Sequence, residues 1–187
     1  MRRENKALTK FSAFLCRLQS TPLQKTSLLI LTLIFHKDKL YMKSLEEQSD
    51  GTPTGDSMGI ICCGGRHFDC YPFLKYVIDC IIEKYGAETE KVTVISGHCQ
   101  GADQLGERYA KERGALLRVF PAEWTKYGKA AGPVRNSEMV SYLSLFSKRV
   151  VVAFKNERTK GTADTIKKAR KLGYDVYECE YETLGDY

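Results

Sequence analysis

The chain has no apolar run long enough to cross a bilayer. Its most apolar stretch, residues 28–35, falls far short of the ~20 residues a spanning helix needs, and Lys25 and Lys37 bracket it. CxxC spacing is also missing. The seven cysteines are an odd number; Cys62 and Cys63 are strand neighbours whose side chains face opposite ways, while Cys80 and Cys179 lie in apolar helix and strand patterns. All read as buried thiols of a reducing cytoplasm. His67 with Cys70 and His98 with Cys99 are the only local metal-like pairings. No second pair completes either, so no structural metal is expected. There is no block of like charge and only one tryptophan. A net charge of +6 and a pI near 8.9 suit an anionic partner, but scattered charge and few repeated aromatics do not make a groove for nucleic acid. These absences set aside a membrane protein and an extended nucleic-acid binder, and leave a nucleotide-sized anion as the economical partner.

What is present divides the chain in two. Residues 1–57 open on Arg2, Arg3, Lys6 and Lys10, carry the short apolar run, and end in a polar linker around Gly51, Pro53 and Gly55. They read as a leader, poorly ordered or a start-site artefact with translation beginning at Met58; a signal peptide is the weaker alternative, since no small-x-small cleavage site follows closely. From 58 to 187 the patterns alternate. Apolar runs at 59–63, 91–96, 116–120, 149–154 and 175–179 read as strands. Helical spacing occupies 71–85, 101–113, 133–146 and 162–172, with glycine closing three of these at Gly86, Gly114 and Gly173. Strands separated by helices of this length specify right-handed crossovers and a parallel sheet. The expected fold is α/β: a Rossmann-like three-layer sandwich on a central parallel five-stranded sheet.

In such sheets ligands bind beyond the carboxyl ends of the strands, near the point where strand order reverses. Four strand ends carry unusual chemistry. Gly64-Gly65-Arg66 closes the first strand; it reads either as an anion-binding rim, glycine admitting close backbone approach and arginine offering a planar donor fork, or as a tight turn with a solvated arginine. Ser96-Gly97-His98-Cys99-Gln100-Gly101 leads into a helix whose N-terminal amides could receive a phosphate. Asp103 in its first turn either caps that helix or meets a ribose hydroxyl. Residues 121–136 form a long loop and a helix start, with Trp124 as a stacking plate or a lid on the core, and with Tyr127, Lys129, Arg135 and Asn136 as companions. Lys160-Gly161-Thr162-Ala163-Asp164 makes another cradle, with Thr162 as N-cap or phosphate donor and Asp164 as cap or ligand contact.

Taken in order, "CGGRHF", "SGHCQGADQLGERYA", "PAEWTKYGKAAGPVRNSEM" and "KGTADTIKKA" resemble the YspA/YpsA-related branch of the SLOG superfamily, whose members are similar in fold to the cytokinin-activating phosphoribohydrolases and to the DNA-processing protein DprA/Smf. The resemblance runs from residue 59 to 177. It implies a Rossmann-like fold that binds a nucleotide or nucleotide-derived, phosphoribosyl or ADP-ribose-like, ligand at the glycine-rich turns. In the phosphoribohydrolases an Arg-Lys-x-x-Met helix start and a Pro-Gly-Gly-x-Gly-Thr-x-Glu turn supply an arginine and a glutamate that act at the N-glycosidic bond. Here Arg135 and Met139 match the first motif, with Asn136 in place of lysine. Asp164 stands where the glutamate would, and the two leading glycines are absent.

The resemblance thus implies two readings. In one, Gly64, Gly65, Arg66, Ser96, Gly97, Gly101, Asp103, Trp124, Lys129, Arg135, Asn136, Gly161 and Thr162 form a binding site and the protein senses its ligand. In the other, Arg135 and Asp164 are catalytic and an N-glycosidic bond is hydrolysed. DprA-like binding of single-stranded DNA is a third reading, disfavoured by the mild charge. No cofactor is implied, and a homodimer is an assembly the look-alikes use, without any interface pattern in this sequence.

Overall fold

The computed structural model describes residues 56–156 and 159–181; most of the expected leader, residues 1–55, lies outside them. Five strands, β1 (Met58–Gly64), β2 (Val92–Ser96), β3 (Leu116–Val119), β4 (Lys148–Lys155) and β5 (Asp175–Glu180), alternate with helices. The helices are α1 (Tyr71–Lys84), α2 (Ala102–Arg113), the single turn α3 (Trp124–Tyr127), α4 (Ala131–Leu143) and α5 (Lys160–Lys171). All four strand pairings are parallel and the order is β3-β2-β1-β4-β5. The fold is the expected Rossmann-like α/β sandwich. Strand order reverses between β1 and β4, so the crevice predicted for such sheets lies at their carboxyl ends.

Because successive strand side chains point to opposite faces, the apolar run of β1 divides between two cores. Met58, Ile60 and Cys62 pack with Val92, Val94, Val150, Val152 and Phe154 beneath α1 and α2. Ile61 and Cys63 join Ile95, Val151 and Ala153 beneath α4 and α5, against Met139, Leu143, Phe146 and Ile166. β1 is buried almost throughout, which is why its sequence is continuous rather than alternating. Burial holds the Cys62 and Cys63 thiols well above the ordinary thiol range.

Three expectations are corrected. Cys80 is exposed, because α1 turns Phe73, Leu74, Val77, Ile78, Ile81 and Ile82 inward and leaves position 80 on the outer arc; Cys179 is only half-buried. The long loop after β3 is helical in part, containing α3 and the 3-10 turn Gly128–Ala130. Finally, α4 begins at Ala131 and α5 at Lys160, each two residues before the expected start. Pro133 is accommodated in the first turn of α4, where a backbone N–H has no intrahelical partner to lose.

Candidate functional site

The turn after β2 is built around Asp103. Its carboxylate is buried, with 4% exposure, and its Oδ2 accepts N–H bonds from Gly97 at 3.1 Å and Cys99 at 3.4 Å. The amide of His98 donates to Ser96 Oγ at 3.0 Å. Three consecutive backbone donors of this turn are thus engaged by the protein's own Asp103 and Ser96 oxygens. Burial pushes the Asp103 carboxyl up to about 6, against the opposing pull of Arg135 and of the two amides. Gly101, at φ +89, lies so close to the Gly65 carbonyl that an added Cβ would strike it; Ala102 N donates to that carbonyl at 3.4 Å. The β1 and β2 turns are thereby joined.

A second element of the turn was not foreseen. His98 has a positive φ of 58°, and its Nδ1 lies 3.0 Å from Glu107 Oε1, which also accepts from Ser96 Oγ at 2.7 Å. Positive φ is costly away from glycine, and the turn tolerates it because the residue's amide and ring are both held. Nothing in spacing alone joins positions 96, 98 and 107; the signal available was that Asp103 and Glu107 lie one helical turn apart on α2.

Helix α4 spans the crevice. Arg135 donates through its Nη1 to the Gly97 carbonyl, stands 3.8 Å from Asp103 Oδ2, and lies 3.5 Å and 3.6 Å from Cys99 Sγ. Its Nε donates to Asn136 Oδ1 at 3.0 Å. Asn136, itself buried, donates through Nδ2 to the Gly161 carbonyl at 3.3 Å and to Asp164 Oδ2 at 3.0 Å. The same Asp164 oxygen receives Lys168 Nζ at 2.6 Å. These two side chains therefore tie the β2 turn to the start of α5. They sit in the second turn of α4, not at its anion-favouring first turn.

The third region is the β1/β4 switch point. Gly65 N donates to the Phe154 carbonyl at 2.9 Å, and a Cβ on Gly65 would meet the Tyr181 hydroxyl and Thr159 Cγ2, so the Gly64-Gly65-Arg66 turn lies directly against the entrance to α5. Arg66 is exposed. The amides of Arg66 and His67 have no partner among the described residues, and the first turn of α5 has no side-chain cap there, so its N–H groups include those a helix start leaves without an intrahelical acceptor. A cavity of about 530 Å³ opens beside Asn156, Thr159 and Lys160.

The structure therefore brings together Gly64, Gly65, Gly97, Gly101, Asp103, Arg135, Asn136, Gly161 and Asp164, with Ser96 behind them. Thr162 is not the N-cap; it is buried in the first turn of α5, and Thr159 precedes the helix. Trp124 does not close the core: it is 55% exposed and leans toward Gly132. Lys129 is exposed on the same segment. Glu107, Cys99 and Lys168 were missed. Among the described residues no group of His, Cys, Asp and Glu is placed to hold a metal ion, and no helix is long and apolar enough to cross a membrane.

A parallel 3-2-1-4-5 sheet with glycine turns and a half-buried arginine gathered at the carboxyl ends of its strands defines a Rossmann-like α/β protein. The chain matches the YspA, cpYpsA-related SLOG family over residues 58–127, and it is 31% identical over 105 residues to the Gene 61 protein of Mycobacterium phage D29, covering 54% of this chain and 81% of the phage protein. It belongs to that SLOG family. Its fold is similar to that of DNA processing protein A (DprA) from Streptococcus pneumoniae, with a TM-score of 0.50 and 17% identity over 70% of this chain; it spans about half, 52%, of that protein's length.

Proposed function

We propose that the protein binds a nucleotide or nucleotide-derived ligand, phosphoribosyl or ADP-ribose-like, with a phosphate at the β1/β4 switch point, and that it acts as a sensor. Family membership supports a nucleotide- or nucleic-acid-related binding function. The phosphate sits against the amides of Arg66 and His67 and the first turn of α5, whose dipole favours negative charge. Gly64 and Gly65 admit its close approach and the Arg66 fork closes over it. The Ser96–Gly101 turn, with Asp103, Arg135 and Asn136, supports this cradle from one side, and Trp124 and Lys129 flank its outer approach. The ligand-binding unit is residues 58–187, with residues 1–57 as an appended leader, in a cytoplasmic setting.

One observation carries the choice of sensing over cleavage: Asp164 and Arg135, the pair that would act on an N-glycosidic bond, are both engaged by protein groups, the first by Asn136 and Lys168, the second by Gly97, Cys99 and Asn136. A carboxylate that must activate water or steady a cationic sugar has to face it. Incubation with nucleoside monophosphates and ADP-ribose should release no free base by chromatography. A bound nucleotide should raise the melting temperature, by the equivalent of about 2.7 kcal/mol at a hundredfold excess over Kd. Base release that disappears in Asp164→Ala and Arg135→Ala would establish the hydrolase instead, and strong salt-sensitive binding to oligonucleotides would establish the DNA reading suggested by the DprA-like fold.

A further inference from the structure

The turn between β2 and α2 carries a ring that is held at one edge and bare at the other. His98 is the one non-glycine residue with positive φ, 58°, among the described residues. Glycine would take that conformation without strain; here a side chain is carried in it and secured from two sides. Its amide donates to Ser96 Oγ at 3.0 Å, and its Nδ1 lies 3.0 Å and 3.3 Å from the two carboxylate oxygens of Glu107. A carboxylate only accepts, so Nδ1 carries the proton of that pair and Nε2 is the edge turned away from it. Glu107 is a firm anchor: its side chain is 13% exposed, and Ser96 Oγ donates to it at 2.7 Å. The His98 side chain is 56% exposed, and its Nε2 has no partner among the described residues. Asp103, the carboxylate of this turn that could have met a sugar hydroxyl, is buried and turned onto the Gly97 and Cys99 amides. The ring also stands within a nucleotide's length of the proposed phosphate position. Gly101 packs against the Gly65 and Arg66 carbonyls, and His98 lies three residues before it, at most about 11 Å along the chain.

We infer that His98 is a specificity residue: its Nε2 meets a ribose hydroxyl of the bound nucleotide, so that ribonucleotides are selected over their dideoxy counterparts. The inference rests on the nucleotide-binding reading above and deepens it, since that reading leaves the sugar without a contact. A hydroxyl is the complementary group because it both donates and accepts, and so pairs with Nε2 whether the ring is neutral or charged. A ring already fixed through Nδ1 gives up little freedom when the sugar arrives. A dideoxy sugar offers only carbon at the same place. Nε2 then loses water without a replacement, which is how a site built around a hydroxyl rejects an analogue lacking it.

The test titrates the full chain calorimetrically with the common ribonucleoside 5′-monophosphates, their 2′,3′-dideoxy counterparts, ADP-ribose and inorganic phosphate, in the wild type, His98→Phe and His98→Gly. In the wild type, the monophosphate that binds best should bind about tenfold more tightly than its dideoxy form. His98→Phe keeps a ring and removes its nitrogens. It should bring that ratio to within about twofold and leave the dideoxy form and inorganic phosphate within about twofold of wild type. His98→Gly removes the ring and relieves the positive φ, and it carries the test if circular dichroism shows that the phenylalanine variant is unfolded. A wild-type ratio near one, or a tenfold ratio kept in a folded variant whatever its overall affinity, would overturn the inference and leave nucleotide binding intact. Failure of the wild type to bind any monophosphate would overturn the inference, and failure to bind ADP-ribose as well would overturn the reading beneath it.

Discussion

The turn after β2 and the turn that opens α5 look alike as letters, each a glycine beside hydroxyl or acidic residues at a helix start, yet they are opposites in the folded chain. Around residues 96–101 the backbone donors are consumed: Gly97 and Cys99 by Asp103, His98 by Ser96. At residues 160–162, among the described residues, no side chain caps the helix start, and a cavity lies beside it. The difference teaches that a glycine-rich helix start is an anion site only if no side chain of the same turn reaches back to fill it. Asp103 reaches back because it sits at the second position of α2, where a short carboxylate curls onto the preceding amides. Asp164 does not. It lies at the fifth position of α5 and pairs sideways with Asn136 and Lys168.

Breaking the filled turn should have the largest effect. Asp103→Ala leaves two buried amides without an acceptor and Arg135, 11% exposed, without its counter-charge; a loss of about 4 kcal/mol is expected by urea denaturation, with little effect on phosphate affinity if the open turn is the binding site. The same residue sets a pH dependence. Burial pushes its folded carboxyl up to about 6, above the ordinary carboxylate range, so the native state holds more protons than the unfolded chain between about pH 4 and 6. The associated stability is fully present below about pH 4 and is lost as pH rises through about 6, by at most about 3 kcal/mol. Asp103→Asn, which keeps an acceptor but no titrating group, should flatten that slope in melts run from pH 4 to 7. Gly101→Ala should cost about 2 kcal/mol, because a Cβ at φ +89 meets the Gly65 carbonyl. It also sharpens the comparison by parting the β1 and β2 turns. The smallest effect belongs to Lys168→Ala: its pair with Asp164 is about one-third exposed, worth about 0.5 kcal/mol.

Much of this was readable before any coordinates. Five apolar runs split by helical spacing dictated five parallel strands, and the odd and even residues of β1 needed no tertiary information to be assigned to two cores. Boundaries were less legible where the first turn of a helix carries no apolar residue, as at Lys160-Gly161, or carries a proline, as at Pro133 in α4. The glycine turns were legible as neighbours because each stands at a strand end, whereas Arg135 and Asn136 lie in the second turn of α4. Their partners were not. Glu107 meets His98 across nine residues and Asn136 meets Asp164 across twenty-eight, separations at which no local pattern speaks.

The amino-acid sequence by itself determined the parallel sheet and the glycine turns at its strand ends, since alternation of strand with helix and crossover handedness leave few other arrangements; the strand order, and with it the switch point, came from the tertiary structure. Only the tertiary structure decided which of those turns is filled by its own side chain. That depends on whether a side chain's carboxylate comes within about 3 Å of a backbone amide, a distance set by how α2, α4 and α5 pack on the sheet.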